Sequence, residues 1–176
     1  MSAAVFVDTN VLVCARDMRD PAKQAAAEAL LKELWIEQTG RTSVQVLSEY
    51  YVTVTRKLDP GLSPDDAWDD VTALFAWDPQ PIDRELFARA RQVEARYRLS
   101  WWDSMIVAAA QLQSCSLLVT EDLQHNLVCG TVVVRNPFVA GIAESGTQHA
   151  AQPRPRSRHK PRGRPRTAQR TAAQRS

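Results

Sequence analysis

The sequence predicts an α/β fold, a three-layer α/β/α sandwich around a central parallel sheet. Three observations lead there. Short unbroken apolar runs at residues 3–7, 117–119 and 131–134 suit strands covered on both faces. Helical stretches with one apolar side separate the first run from the later ones, the alternation expected of parallel strands. The first two runs then stop beside acids, in the position where such sheets bind ligands, just past the carboxyl ends of their strands.

The first run, Ala3-Ala4-Val5-Phe6-Val7, ends abruptly at Asp8-Thr9-Asn10. A carboxylate at the end of a buried strand is costly unless something pairs with it. Residues 11–15 continue apolar and then meet Arg16 and Asp17. Asp20-Pro21 opens a helix, with Asp as cap and Pro at the first helical position. Residues 22–38 carry Ala27, Leu30, Leu31, Leu34 and Trp35 as one stripe, and Gly40 is read as the stop. Arg41-Thr42-Ser43 is a link or an abbreviated strand.

Ser43 caps a second helix running to about Leu58, with Leu47, Tyr50, Tyr51, Val54 and Leu58 at helical spacing. Its β-branched residues would also suit a strand, but strict alternation fails at Tyr50-Tyr51. Ser63-Pro64-Asp65-Asp66 repeats the opening signature, with Trp68, Val71, Thr72, Leu74 and Phe75 facing inward. Pro79 and Pro81 break the chain. Asp83 caps a helix through Arg98, whose inward residues are Leu86, Phe87, Ala90, Val93 and Tyr97. Ser100-Trp101-Trp102-Asp103 begins another, with Met105, Ile106, Ala109, Ala110 and Leu112 on its apolar side. The strand at 117–119 ends at Thr120-Glu121-Asp122, and the strand at 131–134 is closed by Asn136-Pro137.

Composition divides the chain. At 176 residues and 44% apolar it can build one core of ordinary size. The net charge of +2 hides an asymmetry: residues 151–176 hold nine arginines and lysines and no acid. Residues 1–150 are left with 13 basic against 20 acidic side chains, a net of −7. Two parts follow, an acidic folded domain over 1–145 and a basic Pro/Arg-rich tail over 146–176. The tail lacks the aliphatic residues needed to offset its ordering entropy and is expected to be disordered. Its natural partner is a polyanion. Within it, Lys160-Pro161-Arg162-Gly163-Arg164-Pro165-Arg166 is similar to an AT-hook, in which Arg162, Arg164 and Arg166 would seek a narrow minor groove. Chance strings in any Pro/Arg-rich tail are the competing explanation.

Cys14, Cys115 and Cys129 are odd in number and lack metal-ligand spacing, which argues for reduced packing thiols and against a zinc site. No secretion segment and no bilayer-length apolar run is visible, so a soluble cytoplasmic protein without membrane contact is expected.

Four acids stand at element ends or near them: Asp8, Glu49, Asp103 and Asp122. Carboxylates gathered together repel unless hard cations neutralise them, and Mg²⁺ or Mn²⁺ takes such oxygen ligands. For Asp122, the adjacent Glu121 is a competitor. The segments Val7-Asp8-Thr9-Asn10, Ser48-Glu49-Tyr50-Tyr51, Trp101-Trp102-Asp103-Ser104-Met105-Ile106 and Thr120-Glu121-Asp122-Leu123-Gln124-His125 resemble, in order, the motifs of PIN-domain ribonucleases. The similarity runs over about residues 4–139 and is nearest to the toxins of VapBC-type toxin–antitoxin modules. The resemblance implies that Asp8 and Asp103 are the principal ligands of Mg²⁺ or Mn²⁺. Glu49 and Asp122 would complete the acidic site, and Thr9 and Asn10 would orient the substrate. It further implies hydrolysis of RNA phosphodiesters, a cognate antitoxin as partner and a homodimer. The alternative is an inactive fold of the same kind that binds RNA or DNA through its tail. A receiver-type phosphoacceptor also gathers acids at strand ends, but no lysine follows a late strand here.

Overall fold

The computed structural model describes residues 3–139, so the 145/146 boundary, the disordered tail and Arg162, Arg164 and Arg166 lie outside the described residues. Five strands form one sheet: β1 (Val5–Val7), β2 (Gly40–Arg41), β3 (Leu117–Val119), β4 (Val128–Cys129) and β5 (Val132–Arg135). Their spatial order is β2-β1-β3-β5-β4. All neighbours are parallel except β4, which pairs antiparallel with β5 and adds a short edge that the apolar pattern did not reveal. Successive residues Phe6 and Val7, and again Leu118 and Val119, are all buried. Neighbouring strand residues point to opposite faces, so the central strands are covered on both sides, the arrangement their unbroken apolarity predicts.

Among the described residues six α-helices supply the covering: α1 (Thr9–Cys14), α2 (Pro21–Glu37), α3 (Val44–Arg56), α4 (Pro64–Leu74), α5 (Arg84–Tyr97) and α6 (Trp101–Leu112). In one group α1 packs on α2 and α3, and α3 on α4; in the other, α5 packs on α6, which lies against β3 and β5. Asp20, Ser43, Ser63, Asp83 and Ser100 each cap a helix as the sequence predicts, their side-chain oxygens accepting a backbone N–H three residues on. No helix among the described residues is long and apolar enough to cross a membrane.

Several details differ from the sequence-based expectation. Residues 9–14 form a helix rather than a continued apolar run, because Asp8 caps them directly. Helix α2 ends at Gln38 in the left-handed conformation, not at Gly40. Gly40 instead lies in β2 flat against the Trp77 ring, where an added Cβ would come within 2.4 Å of Cε2. On α4 the buried face is Ala67, Val71 and Leu74, while Trp68 and Phe75 stack edge-to-face outside at 6.2 Å. On α5, Phe87 is also exposed; it meets the half-buried Trp101 at 5.5 Å. Trp102, next along, is 63% exposed.

Candidate active site

The sheet itself locates the site. From β1 the chain first crosses to β2 on one side and later returns to β3 on the other, so the strand order reverses between β1 and β3. Loops diverge at such a switch point and leave a crevice beyond the carboxyl ends. Val7 is in register with Val119, and the Asp8 N–H donates to the Val119 carbonyl at 3.1 Å. The next residues, Asp8 and Thr120, therefore stand side by side at that edge.

Asp8 is buried. Its Oδ1 accepts the Thr9 N–H at 2.7 Å, and its Oδ2 accepts the Thr120 hydroxyl at 2.7 Å and the Asn10 amide at 3.3 Å. Even so, burial pushes its pKa from 3.8 up to about 6, with the Asp122 and Glu49 charges adding to the rise and the bonds from Thr120 and Thr9 opposing it.

Asn10 ties the edge together. Its side-chain amide donates to Asp8, to Thr120 Oγ1 at 2.8 Å and to Asp122 Oδ2 at 3.0 Å, and its Oδ1 accepts the Glu121 N–H at 3.3 Å. Thr120 Oγ1 also accepts the Asp122 N–H at 3.1 Å. Between the two acids of the turn the geometry discriminates: Glu121 is ion-paired with Lys23, whereas Asp122 joins Asn10. Glu49, on the exposed side of α3, reaches the same edge through Thr9, whose hydroxyl donates to Oε2 at 3.2 Å. The Glu49 Oε1 accepts the amide of buried Gln45 at 3.1 Å.

Asp103 stands apart from this network. Its N–H donates to Ser100 Oγ at 3.1 Å and its Oδ2 accepts the Ser100 hydroxyl at 2.7 Å, a reciprocal bond at the start of α6. In this conformation no three Asp, Glu, His or Cys side chains among the described residues are gathered into a cage for a metal ion. The structure thus links Asp8, Thr9, Asn10, Glu49 and Asp122, and leaves the Asp103 carboxylate bonded within its own helix. His125 is exposed, and its Nδ1 accepts the Asn136 N–H at 3.0 Å.

Sequence reasoning missed two members. Thr120 is fully buried and binds three groups of the site, and its signal was a hydroxyl directly ending an apolar run. Gln45, a buried amide one turn before Glu49, was the other.

The donor set fits a hard divalent cation in its chemistry: carboxylate, hydroxyl and amide oxygens, with no sulfur or imidazole. The Asp8 and Asp122 carboxylates already share an N–H donor, the uncharged counterpart of a shared cation.

Among solved structures, a toxin–antitoxin complex from Klebsiella pneumoniae aligns with a TM-score of 0.55 at 21% identity, over 77% of this chain and 98% of its own. VapBC2 from Rickettsia felis, bound to a DNA fragment from its promoter, aligns with a TM-score of 0.50 at 13% identity, over 76% of this chain and 98% of its own. VapC20 of Mycobacterium tuberculosis, described as a sarcin–ricin loop cleaving toxin, gives 0.48 at 18% identity, over 65% and 87%. At such identities the likeness is one of fold. No curated protein matches the sequence. A model of the PIN domain matches residues 5–130, from the start of β1 to the turn after β4. With the family model spanning most of its length, the chain belongs to the PIN domain family.

Proposed function

We propose that this protein is a Mg²⁺- or Mn²⁺-dependent endoribonuclease, the toxin of a toxin–antitoxin pair. The observation that carries the reading is Asp8: a carboxylate buried at the switch point, pushed toward neutrality and flanked by the Asp122 and Glu49 carboxylates. Such an arrangement destabilises the protein, and a bound cation would offset the cost. Perturbed acids held in a crevice are also what functional sites look like.

Asp8, Asp103, Glu49 and Asp122 would hold the cation. Once bound, a divalent ion supplies Lewis-acid stabilisation of phosphoryl charge and makes water a better nucleophile. Thr120 and Thr9 fix the two oxygens of Asp8, so the carboxylate is pre-oriented. Asn10 spaces Asp8 from Asp122 and would turn its amide toward the substrate. Glu49, exposed and hydrogen-bonded to Gln45, or Asp122 would accept a proton from water. Two matched structures, with TM-scores of 0.55 and 0.50, come from toxin–antitoxin complexes, and from this we extend an antitoxin partner to this chain. A homodimer and nucleic-acid contact through the basic tail belong to the same reading.

The second reading is an inactive PIN fold that binds nucleic acid through its tail. It is favoured by the absence, among the described residues, of a ready three-carboxylate cage. Cleavage of structured RNA in Mg²⁺, in EDTA and by Asp8→Asn separates the two. Cleavage abolished by EDTA and by the substitution supports the nuclease; binding with no metal-dependent cleavage by the unaltered protein refutes it.

A further inference from the structure

The domain that would hold RNA is acidic, so its cations should matter where they are free. Five of the 13 basic side chains before residue 150 stand on α5 or its cap: Arg84, Arg89, Arg91, Arg96 and Arg98. Elsewhere Arg16, Arg19 and Lys23 are tied to Asp70, Asp17 and Glu121. On α5 only Arg91 is paired, with Glu94 at 3.2 Å; Arg89 and Arg96 enter no ion pair among the described residues.

Those two arginines, two helical turns apart, share one side of α5 and border a hollow of about 270 Å³. Its wall holds Gln92, Tyr97, Gln111 and Thr131, and no carboxylate. Arg96 lies over the Tyr97 ring, its guanidinium carbon 5.4 Å from the centroid, which limits its freedom. The opposite wall is also built. Gly130 turns at φ +65, and the Gln111 amide clasps the Cys129 carbonyl at 3.0 Å. Two guanidiniums with no ion pair among the described residues, with hydroxyls and amides lining the same concavity, make a receptor for an anion with several acceptor oxygens.

Position decides which anion. Gly130 and Thr131 lead into β5 at its amino end, whereas Asp8 and Thr120 close β1 and β3 at their carboxyl ends. The hollow and the acidic site therefore face opposite edges of the sheet. A free phosphate can touch only one of them, and a polynucleotide can touch both. We infer that the Arg89–Arg96 hollow binds a phosphodiester of the RNA substrate away from the bond that is cut. The inference rests on the nuclease reading and adds to it a second RNA contact.

The test uses the full chain and a short unstructured fluorescent RNA, with binding measured in EDTA over a range of salt. The variants are Arg89→Glu/Arg96→Glu and, as a control of equal sign on the same helix, Arg84→Glu. The double variant should bind about tenfold more weakly, and its log–log salt slope should flatten by about 1.4, from two lost contacts to a single strand. In Mg²⁺ it should show raised KM with kcat unchanged. Arg84→Glu should stay within about twofold of the unaltered protein. Wild-type affinity in the double variant overturns the site. So does an equal loss in Arg84→Glu, which would mark a general charge effect, or competition by inorganic phosphate as strong as by RNA. If the unaltered protein cuts no RNA, the nuclease reading fails; a weakened double variant in EDTA then still supports this RNA contact.

Discussion

Replacing Asp8 by Asn is expected to abolish cleavage and, in EDTA, to make the protein more stable at neutral pH. Burial is the main cause of the rise of the Asp8 pKa from 3.8 to about 6. That rise corresponds to about 3 kcal/mol favouring the protonated folded form. The folded state thus holds a proton that the unfolded chain releases, so stability falls as pH climbs from about 4 to about 6. Above that the full penalty is present. Asn carries no such charge. Its oxygen can still accept the Thr9 N–H, but its amide nitrogen then faces both the Thr120 hydroxyl and the Asn10 amide, two lost bonds of about 1 kcal/mol each. The balance is a gain of about 1 kcal/mol near pH 7, or about 2–4 °C in Tm. Thermal melts across that pH range should show the gap closing toward pH 4. Mg²⁺ at ten times its Kd should lift only the unaltered protein, by about 1.4 kcal/mol. A Tm for the variant at or below the unaltered protein near neutrality, or a gap indifferent to pH, would refute the electrostatic argument.

Two further outcomes follow from the same geometry. Thr120→Val removes the hydroxyl that donates to Asp8 and accepts from Asn10 and Asp122. It should cost about 2–3 kcal/mol by chemical denaturation and raise the pH at which the site ionises, while Thr120→Ser restores both. Gly40→Ala should cost about 1–3 kcal/mol of stability, because its Cβ would fall 2.4–2.7 Å from three Trp77 ring atoms. Cleavage measured well below the melting temperature should be unaffected by it, since Gly40 touches no site residue.

Strands β1, β3 and β5 and helices α2 to α6 were legible in the sequence because short apolar runs and capped, amphipathic stretches are local signals. What was not legible depends on register and packing. Nothing in the residues says that Val7 pairs with Val119, yet that pairing is what sets Asp8 against Thr120 rather than against Asp122. The Asp122 carboxylate is joined to Asp8 through the Asn10 amide. The difference between Glu121 and Asp122 comes from Lys23, which pairs with Glu121 from another helix and is invisible to any reading of the turn itself. Trp68, Phe75 and Phe87 fell on apolar helical spacing, but each helix buries a narrower face than the spacing allows. Large aromatics at the edges of those faces found partners at the surface instead.

Asp103 poses the remaining question, because its reciprocal bond with Ser100 gives it a complete structural role. Two substitutions divide that role from chemistry. Asp103→Asn keeps an oxygen for the Ser100 hydroxyl and loses only the charge near the positive end of α6, worth about 0.3–1 kcal/mol. Ser100→Ala removes the cap and with it about 1 kcal/mol, but leaves the Asp103 carboxylate charged and untethered. If Asp103 serves the reaction, the first variant stays folded and loses cleavage by orders of magnitude, while the second is less stable and still cuts RNA. If Asp103 only starts the helix, activity should instead follow stability, with Ser100→Ala the more damaged of the two. Melting curves and cleavage rates on the same preparations give the ranking, and the second order would remove Asp103 from the ligands assigned to the cation.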